Sequence, residues 1–100
     1  MRGRIRDGAT PSAGSPAVVV YWRPGCPFCA RLRWGLRRMD VASDELNIWG
    51  DPSAAAFVRS VNGGDETVPT VLVGATTMRN PTPRQVRREI QRQSLSFGAE

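Results

Sequence analysis

One segment constrains the fold more than any other. Ala17-Val18-Val19-Val20-Tyr21-Trp22 lies between Pro16 and Pro24-Gly25, and Cys26-Pro27-Phe28-Cys29 follows at once. A short, continuous, β-branched run between turn residues reads as a strand buried on both faces. Proline suits the first position of a helix, where its missing N–H leaves no bond unmade. The two cysteines are therefore predicted where a buried strand hands over to a helix, with Cys26 at the helix mouth. That helix spans roughly 27–39. Leu32, Leu36 and Met39 recur at i, i+4 and i+7 as its buried stripe, which Cys29 extends. Arg31, Arg37 and Arg38 fall on other faces. Trp34 falls on the arginine side, where it either covers arginine stems or forms an interface.

The rest of the chain continues the alternation. Glu45-Leu46-Asn47-Ile48-Trp49 has the period of a strand near 44–49. Asp51 can cap a second helix and Pro52 can open it. Ala54, Phe57, Val58 and Val61 define its inner face, and Asn62-Gly63-Gly64 ends it. A third strand is expected from Thr67 to Val73, then a tight turn at Gly74-Ala75 and a short fourth strand from Thr76 to Arg79. Pro81 and Pro83 break the chain before a last helix at about 83–93. That helix turns Val86 and Ile90 inwards and Arg84, Arg87, Arg88 and Arg92 outwards. Residues 1–15 show no hydrophobic periodicity and are predicted to be a flexible tail. A frayed C-terminal tail is expected at 95–100, which leaves one domain at 16–94. At 100 residues and 11.0 kDa the chain supports a single core. The order β-α-β-α-β-β-α predicts an α/β fold, a four-stranded mixed sheet flanked by helices, with a right-handed crossover between its parallel strands.

Composition removes several chemistries. Histidine is absent, which excludes Ser-His-Asp and Cys-His pairs and any His-ligated metal within the chain. Two cysteines exclude a Cys₄ zinc site unless two chains share it. No metal site is expected. No apolar run reaches the roughly 18–20 residues of a membrane span. Met1 to Pro16 has arginines but no apolar stretch of a secretory signal, so a cytoplasmic location is expected, with no membrane partner. The net charge is +5, and all 14 basic residues are arginine. They are scattered and no DNA or RNA module is visible, so solvated faces are preferred over a nucleic-acid partner.

The cysteine spacing points to chemistry. A two-residue spacer closes a tiny loop, so a disulfide there adds little stability. Redox use is preferred over half of a metal site shared between chains and over incidental thiols. A thiolate attacks disulfides, not a thiol. At the helix mouth, unpaired amides and the positive end of the macrodipole favour an anion. The amides of Phe28 and Cys29 can point at the Cys26 sulfur, and Arg23 can add positive charge. Cys26 is therefore expected to be the exposed nucleophile with a depressed pKa. Cys29, one turn in and more buried, would resolve a mixed disulfide. Pro69 at a strand start is structurally bland, and X-Pro bonds are mostly trans. Trp22 either packs or lines a groove. Trp49 and Phe57 read as structural, and Asp65 and Glu66 as solvated loop charges.

With Tyr21-Trp22-Arg23-Pro24-Gly25-Cys26-Pro27-Phe28-Cys29 followed by Thr67-Val68-Pro69-Thr70, the chain resembles the glutaredoxin family of the thioredoxin superfamily. It is similar to the mycoredoxin-like members of actinobacteria over about residues 17–93, including Ala54-Ala55-Ala56-Phe57-Val58, Ser60-Val61-Asn62-Gly63-Gly64 and Asn80-Pro81. The resemblance implies a thioredoxin-like fold, a nucleophilic Cys26 and a resolving Cys29. It implies that Pro69 is cis and faces the thiols, leaving the Val68 backbone free to pair with the peptide portion of a thiol substrate. Arg23 stands where glutaredoxins often carry lysine, and its fork could hold a carboxylate. Phe28 replaces a frequent tyrosine. Thr77, Met78, Arg79, Asn80 and Pro81 replace the Gly-Gly-x-Asp segment that holds glutathione in many members, which suits mycothiol. Asn80 either contacts substrate or begins a turn. The implied substrate-binding residues are Arg23, Phe28, Thr67, Val68, Pro69 and Asn80. The implied activity is reduction of mixed disulfides between proteins and a low-molecular-weight thiol, with mycothiol (or glutathione) as co-substrate and no tightly bound cofactor. Mycothiol disulfide reductase and NADPH would regenerate the thiol. Two other readings are an electron donor to ribonucleotide reductase coupled to thioredoxin reductase, and a carrier in which two chains share an iron–sulfur cluster. Otherwise a monomer is expected.

Overall fold

The β-branched run forms the central strand, β1 (Val18–Trp22). The structure is a computed structural model and describes residues 16–98, so the tail expected at 1–15 lies outside the described residues. After β1 come α1 (Pro27–Arg38), β2 (Asp44–Asn47), α2 (Pro52–Val61), β3 (Thr70–Val73), β4 (Thr76–Arg79) and α3 (Pro83–Gly98). This is the α/β order the sequence predicts. The strands form one mixed sheet in the order β2-β1-β3-β4. β1 runs parallel to β2, from Val19 opposite Asp44 to Trp22 opposite Asn47, and antiparallel to β3, with Val20 opposite Val71. β4 pairs antiparallel with β3.

Alternation along β1 feeds two cores. Val18 and Val20 join Leu32 and Leu36 of α1, Val71 and Val73 of β3, and Val86 of α3. Tyr21 joins Ile48 and, from α2, Ala54, Ala55 and Val58 on the other face. The molecule is thus three layers, with α1 and α3 on one side of the sheet and α2 on the other. Only half of the expected double burial of β1 is realised at Val19 and Trp22, which are half-buried. Trp22 packs against the α1–α3 core, with the Arg33 guanidinium 3.7 Å from its ring centroid.

Element ends follow local hydrogen bonding. β2 stops at Asn47, short of the expected 49, because the Asn47 side chain accepts the Trp49 N–H at 2.9 Å and its carbonyl accepts the Gly50 N–H at 3.1 Å. Asp51 caps α2 by accepting the N–H groups of Ser53 and Ala54, both at 3.1 Å. Hydrogen bonds from Ser53 and Ala54 hold its carboxyl below the ordinary carboxylate range. Within α2 the buried set is Ala54, Ala55 and Val58; Val61, expected inside, is exposed. Phe57 is half-buried and stacks on Tyr21 with centroids 5.0 Å apart. α3 runs to Gly98, past the expected end at 93. No helix among the described residues is long and apolar enough to cross a membrane.

Candidate active site

Cys26 is the N-cap of α1, and Pro27 opens the helix behind it. Its extended backbone (φ −103°, ψ 109°) turns the side chain back over the first turn. The Cys26 Sγ accepts the Cys29 N–H at 3.2 Å. This N–H belongs to the first helical turn, which has no carbonyl partner within the helix, so it is aimed at whatever charge the sulfur carries. Across the cleft, the Val68 carbonyl oxygen lies 3.9 Å from the same sulfur. The Val68–Pro69 peptide bond is cis.

Both thiols are free. Cys26 is not the exposed group the sequence suggests. It is 8% exposed against 1% for Cys29, so it is the more open of two largely covered sulfurs. The covering segment includes Val68. Burial pushes the Cys29 thiol up to about 11, helped by its side-chain hydrogen bond with Cys26 and partly offset by the backbone and charge of Arg23.

The loop that faces Cys26 is held by a polar network. The Thr70 hydroxyl donates to the Thr67 carbonyl at 2.7 Å and accepts from the Asn62 side-chain amide at 3.1 Å. The same amide donates to the Val58 carbonyl at 3.0 Å. Thr70 is 1% exposed, so these bonds replace solvation it has lost. On the other side, the Asn80 N–H donates to the Pro69 carbonyl at 2.8 Å. Sequence reasoning missed the roles of Asn62 and Thr70. Asn62 read as a helix end, and Thr70 as one more β-branched strand residue; a threonine directly after the proline was the available signal.

The predicted site residues are distributed unevenly. Cys26, Cys29 and Val68 come together, Pro69 follows Val68 through the cis bond, and Thr67 anchors the loop through its carbonyl. Asn80 sits at the exposed end of β4 with φ 50°, a left-handed conformation that asparagine tolerates, and reaches the loop through its backbone. Phe28 is 55% exposed, with the Arg31 guanidinium over its ring. Arg23 is half-buried beside Trp49, 5.7 Å from that ring's centroid. Trp49, expected to be structural, is exposed. Asp65 and Glu66 are exposed loop charges, as expected, and pair at the surface with Arg79 at 3.6 Å and Arg59 at 2.5 Å. Among the described residues, no group of three or more His, Cys, Asp or Glu side chains gathers as a metal site. The arrangement offers one sulfur beside an N–H donor, a second protonated sulfur behind it, and the neighbouring cis-bonded Val68–Pro69 segment. Its chemistry is thiol–disulfide exchange.

Comparison with known proteins places this geometry. A family model described as glutaredoxin matches residues 18–77. A Mycobacterium tuberculosis protein provisionally named a glutaredoxin is 39% identical over 75 residues, covering 74% of this chain and 89% of its own length. Mycoredoxin 1 of Corynebacterium glutamicum is 33% identical over 75 residues, covering 74% of this chain and 92% of its own. Among solved structures, a glutaredoxin from Archaeoglobus fulgidus superposes with a TM-score of 0.62 at 23% identity, over 77% of this chain and 87% of that one.

Proposed function

Because the chain belongs to the glutaredoxin family and is a thiol–disulfide oxidoreductase, we propose that it removes mycothiol from mixed disulfides with proteins, with Cys26 as the nucleophile. The observation that carries this reading is the Cys26 sulfur at the α1 N-cap, 3.2 Å from an N–H donor and facing the Val68 carbonyl. In the first step the Cys26 thiolate attacks the mycothiol sulfur of the mixed disulfide. A Cys26–mycothiol disulfide forms, the bond to the protein breaks, and the protein thiolate leaves and takes up a proton. In the second step the thiolate of another mycothiol attacks the mycothiol sulfur bound to Cys26. Mycothiol disulfide leaves and the Cys26 thiolate returns. Mycothiol disulfide reductase, with NADPH as the electron source, then reduces mycothiol disulfide to two mycothiol thiols.

The Cys29 thiol favours this route over internal resolution. Raised to about 11, it is held as the neutral thiol at pH 7. The first cause of that rise is burial, followed by the hydrogen bond with Cys26. Similarity to mycoredoxin 1 supports mycothiol as the small thiol. The Val68 backbone would pair with the peptide-like portion of the substrate. Arg23, Phe28, Thr67, Pro69 and Asn80 border the same cleft in this reading.

The test is NADPH consumption with a mycothiol mixed disulfide, mycothiol and mycothiol disulfide reductase. Wild type and Cys29→Ser are expected to turn over, and Cys26→Ser to be inactive. No turnover by the wild type removes mycothiol from the assignment. Loss of turnover in both single variants makes the route dithiol.

A further inference from the structure

The outer side of α1 carries a surface that, beyond Phe28 at its start, the thiol chemistry does not use. Phe28, Arg31, Trp34 and Arg38 recur at i, i+3, i+6 and i+10, which places them along one side of the helix over about 15 Å. Cys29, Leu32 and Leu36 fill the buried side. Phe28 and Trp34 are among the most exposed large apolar side chains, at 55% and 58%. Each carries an arginine. Arg31 lies over Phe28, 5.9 Å from the ring centroid, and Arg38 over Trp34 at 4.7 Å. Four such pairs occur among the described residues, against an ordinary frequency of roughly one per 70–80 residues.

The charge on this side is one-signed. α1 contains no acidic residue. Glu45, the nearby carboxylate, is engaged by Arg33 at 2.9 Å and Arg37 at 2.8 Å. Among the described residues, neither Arg31 nor Arg38 has an acidic partner. A guanidinium lying over a ring keeps its N–H edge turned outwards, and that edge suits carboxylates in a two-point contact. The ring also restricts the arginine before any partner arrives, so less side-chain entropy is lost on binding. A shallow groove of about 500 Å³, bordered by Arg31, Arg33, Trp34 and Arg37, runs beside the stripe. The stripe starts at Phe28, between the two cysteines, so a chain held on it stays next to Cys26.

We propose that this side of α1 docks an acidic segment of the protein whose mixed disulfide is reduced at Cys26, an inference that rests on the function proposed above. An extended segment of about four or five residues spans the stripe. Its carboxylates meet Arg31 and Arg38, and its apolar side chains cover Phe28 and Trp34. Cleavage at Cys26 and selection along the outer side of α1 are then separate properties of one helix.

Binding can be read without turnover. A fluorescein-labelled ten-residue acidic peptide, with serine in place of its target cysteine, is titrated with the reduced protein and followed by anisotropy. The expected result is binding at least tenfold tighter than that of a neutral peptide of equal length, weakened by 0.5 M salt. Arg31→Glu combined with Arg38→Glu is expected to erase that preference. Arg84→Glu combined with Arg87→Glu, an equal charge change on α3, is expected to keep it. Equal binding of the two peptides overturns the proposal, as does equal loss in both charge reversals. An oligonucleotide that binds through Arg31 and Arg38 while the acidic peptide does not makes this a nucleic-acid surface and overturns it too. Turnover of a small mycothiol disulfide is expected to be unchanged by the α1 reversal. Absence of that turnover in the wild type counts against the proposed function alone, since the anisotropy result stands without it.

Discussion

Cys26 and Cys29 are one helical turn apart, yet their surroundings assign them different work. Cys26 caps the helix and receives an N–H from its first turn, whereas Cys29 lies inside α1 with 1% of its surface exposed. Burial favours the uncharged thiol and raises Cys29 from 9.0 to about 11. The folded protein therefore keeps the Cys29 proton to higher pH than the unfolded chain does. The resulting stability is present below about pH 9 and is lost as pH rises through about 11. Two measurements follow from this one cause. Iodoacetamide at pH 7–8, read by peptide mass spectrometry, is expected to label Cys26 first, with Cys29 labelling rising only as the pH approaches 11. Melting of the reduced protein is expected to shift downwards between pH 9 and 11 more steeply in wild type than in Cys29→Ser. Faster labelling of Cys29 at neutral pH would falsify the assignment of roles.

At the scale of elements, the active cleft depends on how α2, the loop before β3 and β3 itself are tied together. Thr70 is the knot, since its hydroxyl holds the Thr67 carbonyl and receives the Asn62 amide. Thr70→Val keeps the shape and deletes the hydroxyl, leaving the Thr67 carbonyl without its donor. The expected loss is about 1–3 kcal/mol, or roughly 4–8 °C in Tm for each kcal/mol in a domain of this size. A higher KM for the mixed disulfide is expected alongside, because Val68 lies in the loop that moves. Thr70→Ser should restore both, and an unchanged Tm and KM in Thr70→Val would remove the network from the argument. The same region shows what the sequence could and could not reveal. Order and type of every element were legible, because apolar periods and the Asp51-Pro52 cap are local signals. The strand expected from Thr67 begins only at Thr70, because Pro69 has no N–H to give a ladder and Thr67 serves the turn. Cys26 read as exposed because its cover, Val68, is 42 residues away along the chain. Val61 fits the helical period of α2 but lies at the helix end, where it is left exposed. Trp49 fits the alternating period of the strand expected near 44–49, and the Asn47 turn carries it out of the sheet.

For the molecule as a whole, the decisive feature is that one thin sheet serves two separate cores. β1 sends Val18 and Val20 to the α1–α3 side and Tyr21 to the α2 side, and β3 sends Val71 and Val73 to the first. Neither core can keep its shape if the sheet is lost, so unfolding should be a single cooperative transition. The two cores are nonetheless chemically independent, because the sheet lies between them. Val86 of α3 is wholly buried in one and Val58 of α2 in the other, and they share no partner within these clusters. Val86→Ala and Val58→Ala should each destabilise by about 1–3 kcal/mol, from lost burial plus an incompletely collapsed cavity. Their double variant should lose the sum to within about 0.5 kcal/mol. Chemical denaturation followed in parallel by tryptophan fluorescence and far-UV circular dichroism tests both statements. Coincident curves with additive losses are expected. A biphasic curve in either single variant would mean that one helical layer can detach while the sheet survives, and strong coupling between the two sites would mean that the sheet transmits strain from one core to the other.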